Sequence, residues 1–338
     1  MDISLLKQLG RIEQIAGIRE SQLLRGREQG VRIAEVYNAA GLRFSVTPDR
    51  CMDIFEMSYR GVNVAFQSKN GLTSPLWCST GGIFAEQWCG GLLSTCGLDN
   101  VGGGCTGDGI YPTHGRISTT PASSFAAEAN WENDDYLLRV RGEMHLTRMF
   151  GYHLSLKRTI ETSLNSKCLR ICDEITNHEA EEQPYMLLYH CNFGYPLLQP
   201  DSRMLISSRS VEQLNGLRGD CHSAGAPIDG AGEELYLHKS FGKTGCAVLV
   251  HEASSLGAYI AFDTETLPNM AQWKRMKSHD YVAAFEPCNT CGLNRQEAAA
   301  QNKIAVLPPY SSVKTNLEIG MLDGMDEIET FIQEHGCC

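Results

Sequence analysis

One stretch of this chain says most about its fold: Tyr185-Met-Leu-Leu-Tyr-His190-Cys-Asn-Phe-Gly-Tyr-Pro196. Its apolar and aromatic residues predict a buried β-strand that ends at Gly194 and Pro196. Side chains alternate between the two faces of a strand. One face therefore carries Met186, Leu188, His190 and Asn192, and the other carries Leu187, Tyr189, Cys191 and Phe193. Two hydrogen-bonding side chains thus stand at the end of a face that begins wholly apolar.

The imidazole of His190 has two interpretations. A buried histidine can be a core residue whose ring is satisfied by a backbone carbonyl, because most buried polar groups are satisfied in this way. Alternatively, burial shifts its pKa, and a histidine that titrates near neutrality is a natural proton donor or acceptor. Taken alone, the strand favours the structural interpretation.

Two further segments carry chemically active side chains. Asp108-Gly-Ile-Tyr-Pro-Thr-His114-Gly-Arg-Ile-Ser118 predicts a loop, in which His114 and Arg116 flank a glycine. Tyr281-Val-Ala-Ala-Phe-Glu286-Pro287 predicts a short strand that the proline stops directly after Glu286. On its otherwise apolar face this carboxylate is either paired or has a raised pKa, which suits a general base near pH 7. The structural alternative places both His114 and Glu286 in solvent.

Alternation of apolar and polar residues predicts β-strands through most of the chain. It is clearest at Leu42–Thr47, before Pro48, and recurs at 138–141, 154–157 and 313–319. Helical periodicity is confined to about residues 1–18, where apolar residues recur at helical spacing. Many strands with few helices predict an all-β fold of antiparallel sheets packed as a sandwich. Because no linker, repeat or charge block divides the chain, residues 1–338 are expected to form a single domain.

Composition favours a cytoplasmic protein that binds neither nucleic acid nor membrane. The net charge is -11 without a lysine or arginine cluster, which argues against polyanionic partners. No stretch approaches the roughly 18 apolar residues of a membrane span, and charges interrupt any signal-peptide region at the N-terminus. Fourteen cysteines without a secretion signal therefore predict reduced thiols. Cys288 and Cys291 have the spacing of half a zinc site, but a second ligand pair is missing, so no metal is expected.

The order of these motifs carries a resemblance to a known family. His-Gly near one third of the chain, a strand-borne histidine past its middle and Glu-Pro near its end resemble the galactose mutarotase (aldose 1-epimerase) superfamily. The match is closer to a branch of that superfamily described as a domain of unknown function. The similar tracts are Gln14–Ile18, Asp49–Ile54, Gly90–Leu98, His114–Ser118, Tyr189–Pro196, Gln272–Lys274 and Phe285–Pro287. This resemblance implies a large two-sheet super-sandwich whose site lies in a cleft on one concave sheet.

The resemblance also implies an activity, the interconversion of α and β anomers of a sugar without a cofactor. A base takes the proton from the anomeric hydroxyl while an acid protonates the ring oxygen, and the ring opens, rotates and recloses. Glu286 matches the base, His190 the acid and His114 a second histidine near the ring oxygen. We expect all three to face one cleft, with room for a pyranose between base and acid. Further substrate-binding candidates are Asn192, Arg116, Arg50, Asn100 and Lys274.

The sequence leaves two questions open, the charge of the sugar and the presence of catalysis. Basic side chains in the cleft would bind a carboxylate, sulfonate or phosphate on the sugar, whereas Arg50 paired with Asp53 would be structural. A non-catalytic carbohydrate-binding or sensing protein on the same scaffold is the alternative to an epimerase. The presence of both acid and base candidates favours the enzyme. The expected partner is a small carbohydrate, and a homo-oligomer stays open.

Overall fold

Antiparallel β-strands make up nearly half of the computed structural model, which describes residues 7–78, 84–215 and 219–338. The strands in the first half of the chain are β1 (Gly17–Gln22), β2 (Arg32–Tyr37), β3 (Leu42–Thr47), β4 (Asp53–Tyr59), β5 (Val62–Asn63), β6 (Leu93–Leu98), β7 (Cys105–Thr106), β8 (Ile110–Tyr111), β9 (Ser124–Glu132), β10 (Asp135–Thr147) and β11 (His153–Ser163). Those in the second half are β12 (Cys168–Asn177), β13 (Gln183–Phe193), β14 (Arg203–Ile206), β15 (Ser210–Gln213), β16 (Glu234–Lys239), β17 (Thr244–His251), β18 (Leu256–Asp263), β19 (Asn269–Lys277), β20 (Asp280–Cys288), β21 (Ala305–Leu307) and β22 (Ser312–Asp323). The helices of the described residues are α1 (Phe84–Gln87), α2 (Arg295–Ala300) and α3 (Met325–His335).

Two large sheets contain nearly all of these strands. The first sheet has the order β1-β2-β3-β4-β6-β13-β20-β19-β16-β15, with β5 paired to β4 and β21 paired to β13. The second has the order β14-β17-β18-β22-β12-β11-β10-β9, and β7 and β8 form a separate hairpin. The predicted all-β fold of antiparallel sheets is therefore confirmed.

The hydrophobic core lies between the two sheets. One continuous apolar cluster includes Phe44 and Ile54 from the first sheet and Leu156 and Ile171 from the second. Each sheet supplies one face to this core, because the side chains of a strand alternate.

A fully buried arginine also joins the two sheets. Arg158 on β11 donates hydrogen bonds to Asp173 Oδ2 at 2.7 Å, to Asp53 Oδ1 at 3.0 Å and to Thr95 Oγ1 at 2.9 Å. Tyr189 on β13 donates to Asp173 Oδ2 at 2.7 Å. Burial raises the pKa of Asp53 to about 6, against the opposing effect of the Arg158 charge. This polar network lies directly behind the strand that carries His190.

Several predicted strand boundaries agree with the structure, and one does not. The predicted strand Leu42–Thr47 is β3, and β13 ends at Phe193, just before Gly194. Pro287, in contrast, does not end its strand, because β20 continues to Cys288. A proline removes one backbone donor from a ladder, and it is tolerated where that donor is not needed.

The helical segment expected at about residues 1–18 does not form in its described part. Residues 1–6 lie outside the described residues, and the following segment forms only a short 3-10 turn, Ile12–Gln14, before β1 begins at Gly17. The apolar side chains of this segment pack on the sheet core instead of forming a helix face. The helix α3 near the C-terminus was not predicted, and it packs its apolar face on the second sheet. In the part of the chain that the structure describes, no helix is long and apolar enough to cross a membrane.

Candidate active site

His190 and Glu286 lie side by side on neighbouring strands of the first sheet. The register of β13 and β20 pairs Cys191 with Phe285 and Leu188 with Cys288, so His190 stands opposite Glu286. Both side chains are almost fully buried, and His190 Nε2 lies 3.1 Å from Glu286 Oε1. Their contact is close but not aligned as a hydrogen bond, since Glu286 Oε1 has no hydrogen-bond partner among the described protein atoms. The sequence led us to expect room for a pyranose between Glu286 and His190. This expectation is wrong, because the two side chains are in contact.

His114 reaches the same place from the loop between β8 and β9. Its ring centroid lies 5.6 Å from that of His190. His114 itself has a left-handed backbone, with φ of 60°, and Gly115 follows with φ of 73°. A Cβ atom at Gly115 would lie 2.4 Å from the Gly97 carbonyl oxygen, so only glycine fits this close approach to β6. The His-Gly sequence thus allows the loop to bring the imidazole beside His190.

The three side chains line one cavity, as expected. Its volume is about 370 Å³. The other lining residues are Phe84, Trp88, Val101, Gly102, Gly103, Thr113, Leu188, Glu233, Leu235, Ala271, Trp273, Thr290, Gly292 and Leu293. A second cavity of about 350 Å³ continues from it and shares Phe84, Trp88, Glu233 and Trp273.

Two tryptophans that sequence reasoning missed form the aromatic wall of this site. The ring centroids of Trp88 and Trp273 lie 5.4 Å and 5.6 Å from that of His190, and 5.9 Å from each other. Strand alternation could have identified Trp273, since it shares a face of β19 with Ala271. Trp88 follows the short helix α1, and no periodic pattern marks it. Flat aromatic surfaces of this kind suit the apolar faces of a sugar ring.

Burial reverses the usual order of the pKa values of Glu286 and His190 in the cavity. It raises the pKa of Glu286 to about 8, with a smaller contribution from the charge of Glu233. Burial lowers the pKa of His190 to about 3, reinforced by His114 and opposed by the Asn192 amide. Burial alone lowers the pKa of His114 to about 4. At neutral pH the Glu286 carboxyl therefore holds a proton while both imidazoles are neutral.

Arg116 does not bind in this cavity. Its guanidinium forms an ion pair with the buried Asp99 carboxylate and donates to the Ile110 carbonyl oxygen. The Arg116 backbone N–H also donates to Asp99 Oδ1 at 3.0 Å. Arg116 borders a small neighbouring cavity instead. The expectation that it recognises an acidic group on the sugar therefore loses its structural support.

Arg50 is also engaged in structural contacts. Its Nη1 donates to the Thr73 carbonyl oxygen at 2.8 Å and contacts Cys78 Sγ at 3.5 Å. The alternative pairing of Arg50 with Asp53 is wrong, because Asp53 is paired with Arg158 in the sheet interface.

Lys274 lies on the other face of β19 from Trp273. Its Nζ donates to the carbonyl oxygens of Asp220 at 2.6 Å and Ser223 at 3.0 Å, and it lies 3.2 Å from Glu234 Oε2. The ammonium group anchors the 220–223 segment and does not line the cavity.

The two candidate asparagines have supporting positions. Asn100 Nδ2 donates to the carbonyl oxygens of Gly103 at 3.0 Å and Pro112 at 2.8 Å, so it braces the loop that carries His114. Asn192 Nδ2 donates to the Gly91 and His190 carbonyl oxygens, each at 2.9 Å. Both amides are fully buried, and neither is among the lining residues of the cavity.

Cys288 is part of the apolar core, whereas Cys291 is half-buried and contacts the Asn269 amide. Cys288 packs with Leu188 and Ala298, and its thiol contacts the Thr290 carbonyl oxygen at 3.6 Å. Burial raises the pKa of Cys288 to about 11, so the thiol keeps its proton.

Comparison with known proteins agrees with this architecture. A family model described as "Domain of unknown function (DUF4432)" matches residues 28–321. No curated protein sequence matches the chain significantly.

Several solved structures share this fold. A "putative aldose 1-epimerase" from Klebsiella pneumoniae has a TM-score of 0.88 at 24% identity, over 94% of this chain and 86% of that chain. A galactose mutarotase-like protein from Clostridium acetobutylicum has a TM-score of 0.61 at 16% identity, over 92% and 99%. A galactose 1-epimerase from Lactobacillus acidophilus has a TM-score of 0.58 at 13% identity, over 91% and 99%. At these identities the similarity shows a galactose mutarotase-like sandwich.

Proposed function

Because this chain belongs to the DUF4432 family and has the galactose mutarotase-like fold, we propose that it is a sugar 1-epimerase. It interconverts the α and β anomers of a reducing sugar with Glu286 and His190 as the proton-transferring groups. The observation that carries this proposal is the buried contact of these two side chains in the wall of a sugar-sized cavity. His114 adds a second neutral imidazole that can bind the sugar beside them.

The 3.1 Å contact suits the chemistry of an anomeric centre. The anomeric hydroxyl and the ring oxygen are both bonded to C1, so the two reacting oxygens are themselves close together. A carboxyl and an imidazole on one side of the sugar can therefore reach both oxygens at once. No atom of the sugar has to lie between the two groups.

The opening step follows from the protonation states, and it reverses the roles of base and acid that the family resemblance implies for Glu286 and His190. Glu286 gives its proton to the ring oxygen as the bond from C1 to that oxygen breaks, while His190 takes the proton of the anomeric hydroxyl as C1 becomes an aldehyde. Rotation about the C1–C2 bond then presents the other face of the carbonyl. In the closing step the imidazolium returns a proton to the carbonyl oxygen, and the carboxylate takes the hydroxyl proton. Glu286 and His190 thus exchange the roles of acid and base, as general acid–base catalysis allows.

The charges around the cavity favour a neutral sugar over an acidic one. Among its described lining residues there is no lysine or arginine that could bind an anionic substituent. In the adjoining cavity Arg275 pairs with Glu233 and Lys69 pairs with Asp280. These cations are already neutralised, so a carboxylate or sulfonate on the sugar would have to compete with them.

Anomer exchange measured by NMR across a panel of neutral and acidic sugars tests the proposal. Glu286→Gln keeps the shape of the side chain but cannot transfer the proton, so exchange should fall by about 10²-fold or more. Sugar binding should survive, since the cavity is unchanged. The matched control is Glu252→Gln, which removes an exposed carboxylate paired with Arg203 and should leave exchange unchanged.

Two outcomes would overturn the proposal. Wild-type exchange equal to the uncatalysed rate on every sugar would exclude an epimerase, and retained sugar binding would then indicate a binding protein. Full activity of Glu286→Gln would exclude the proposed proton transfer.

A further inference from the structure

Three histidines meet on the outer surface of the second sheet, away from the cavity. His145 lies on β10, His153 begins β11, and His178 directly follows β12. Met144 and Leu146 point into the core, so His145 points outward from the sheet. The register pairs His145 with Ser155 and Thr147 with His153, which puts the first two imidazoles on the same face.

The three imidazoles are packed closely enough to share one ion. One nitrogen atom from each ring lies within 4.8 Å of the others. His145 Nδ1 and His153 Nε2 are 3.1 Å apart, and the ring centroids of His153 and His178 are 4.5 Å apart.

Neighbouring groups hold these rings as the outer ligands of a metal site do. Ser155 Oγ lies 2.9 Å from His178 Nε2, and the serine is buried beneath the ring. Glu143 Oε1 lies 3.8 Å from His145 Nε2. The His178 backbone N–H donates to the His153 carbonyl oxygen at 3.0 Å, which fixes the segment after β12 to β11. The Ser155 hydroxyl thus orients the His178 ring, as hydrogen bonds from surrounding groups orient metal-binding histidines. The Glu143 carboxylate is near His145 but beyond hydrogen-bonding distance.

We propose that His145, His153 and His178 form a binding site for a divalent transition-metal ion that prefers imidazole ligands, such as Zn²⁺, Ni²⁺ or Co²⁺. Three nitrogen ligands leave a fourth position for water or a small ligand, and the half-exposed surface gives access to it. The ion would tie β10, β11 and the end of β12 together. The site is independent of the proposed epimerase activity.

Metal titration of the full chain, without an added histidine tag, tests this site. Isothermal calorimetry with Ni²⁺ or Zn²⁺ alone should show one equivalent bound by the wild type, with a raised Tm, since a ligand that binds only the folded state stabilises it. His153→Asn and His178→Asn should each abolish that equivalent and the metal-dependent rise in Tm. His335→Asn, which removes an exposed histidine at the end of α3, is the matched control and should bind as the wild type does.

Spectroscopy distinguishes metal bound by the three histidines from metal bound by any of the fourteen cysteines. Bound Co²⁺ should show visible absorption without the near-ultraviolet charge-transfer band of thiolate ligands. Binding unchanged in both histidine variants, a dominant thiolate band, or no stoichiometric binding by the wild type would each overturn the proposal. Metal-free Tm values close to that of the wild type establish that the variants fold.

Discussion

At the scale of single residues, burial has exchanged the proton affinities of a carboxyl and an imidazole. The pKa of Glu286 is raised to about 8 and that of His190 is lowered to about 3. Between these two pH values the pair carries one proton, which is bound to Glu286. We predict that kcat/KM for anomer exchange is flat around neutral pH and falls above about pH 8, because Glu286 then loses the proton it donates. A second fall should occur at acid pH, near the lowered pKa of His190, because a protonated His190 can no longer accept the proton of the anomeric hydroxyl. The pH–rate profile of the wild type measures both limbs.

The same profile distinguishes this pair from an ordinary carboxylate base. A Glu286 with its usual acidity would place the fall on the acid side alone, and activity would persist well above pH 8. Glu286→Gln should lose the alkaline limb along with most of its activity. A limb that remains in this variant would assign the titration to another group.

At the scale of elements, the loop that carries His114 depends on one glycine. Gly115 has φ of 73°, and a Cβ atom there would lie 2.4 Å from the Gly97 and 2.6 Å from the Asn100 carbonyl oxygen. We predict that Gly115→Ala displaces His114 and lowers anomer exchange, with a loss of about 1–3 kcal/mol in the free energy of unfolding. Chemical denaturation and NMR exchange measure the two effects.

Gly61 provides the matched control for this loop. It has φ of 84° in the turn between β4 and β5, and nothing lies within 4 Å of its Cβ position. Gly61→Ala therefore carries the same kind of backbone strain, but its Cβ atom contacts no neighbouring residue. The rate of anomer exchange should be unchanged in this variant. Equal loss of activity in both variants would contradict the role of Gly115.

At the scale of the whole molecule, the two sheets are joined by the buried Arg158. It is paired with Asp173 and Asp53, and removing one partner of a buried network leaves charges uncompensated. We predict that Arg158→Met lowers the free energy of unfolding by about 3–5 kcal/mol. Arg170→Met, in the next strand, breaks an exposed pair with Glu318 and should cost less than about 1 kcal/mol. Similar losses in both variants, measured by chemical denaturation, would show that the buried network contributes little.

The sequence by itself determined which side chains share a face. The two-residue period of a strand is a local property, and it placed His190 with Leu188 and separated both from Tyr189. The structure confirms this, since Leu188 and His190 line the cavity while Tyr189 reaches Asp173 in the core. Turn residues also marked strand ends, since Pro48 directly follows β3 and Gly194 directly follows β13.

Only the tertiary structure decided which of these faces meet and which charges are already paired. β13 lies between β6 and β20, each about ninety to a hundred residues away in the chain, and local periodicity does not encode such neighbours. An arginine looks the same in sequence whether its partner is a ligand or a buried carboxylate. The sequence around Arg116 therefore suggests an anion site, whereas the structure pairs Arg116 with Asp99. The protonation of Glu286 and His190 has the same origin, because desolvation depends on everything that packs around a group and not on its position in a strand.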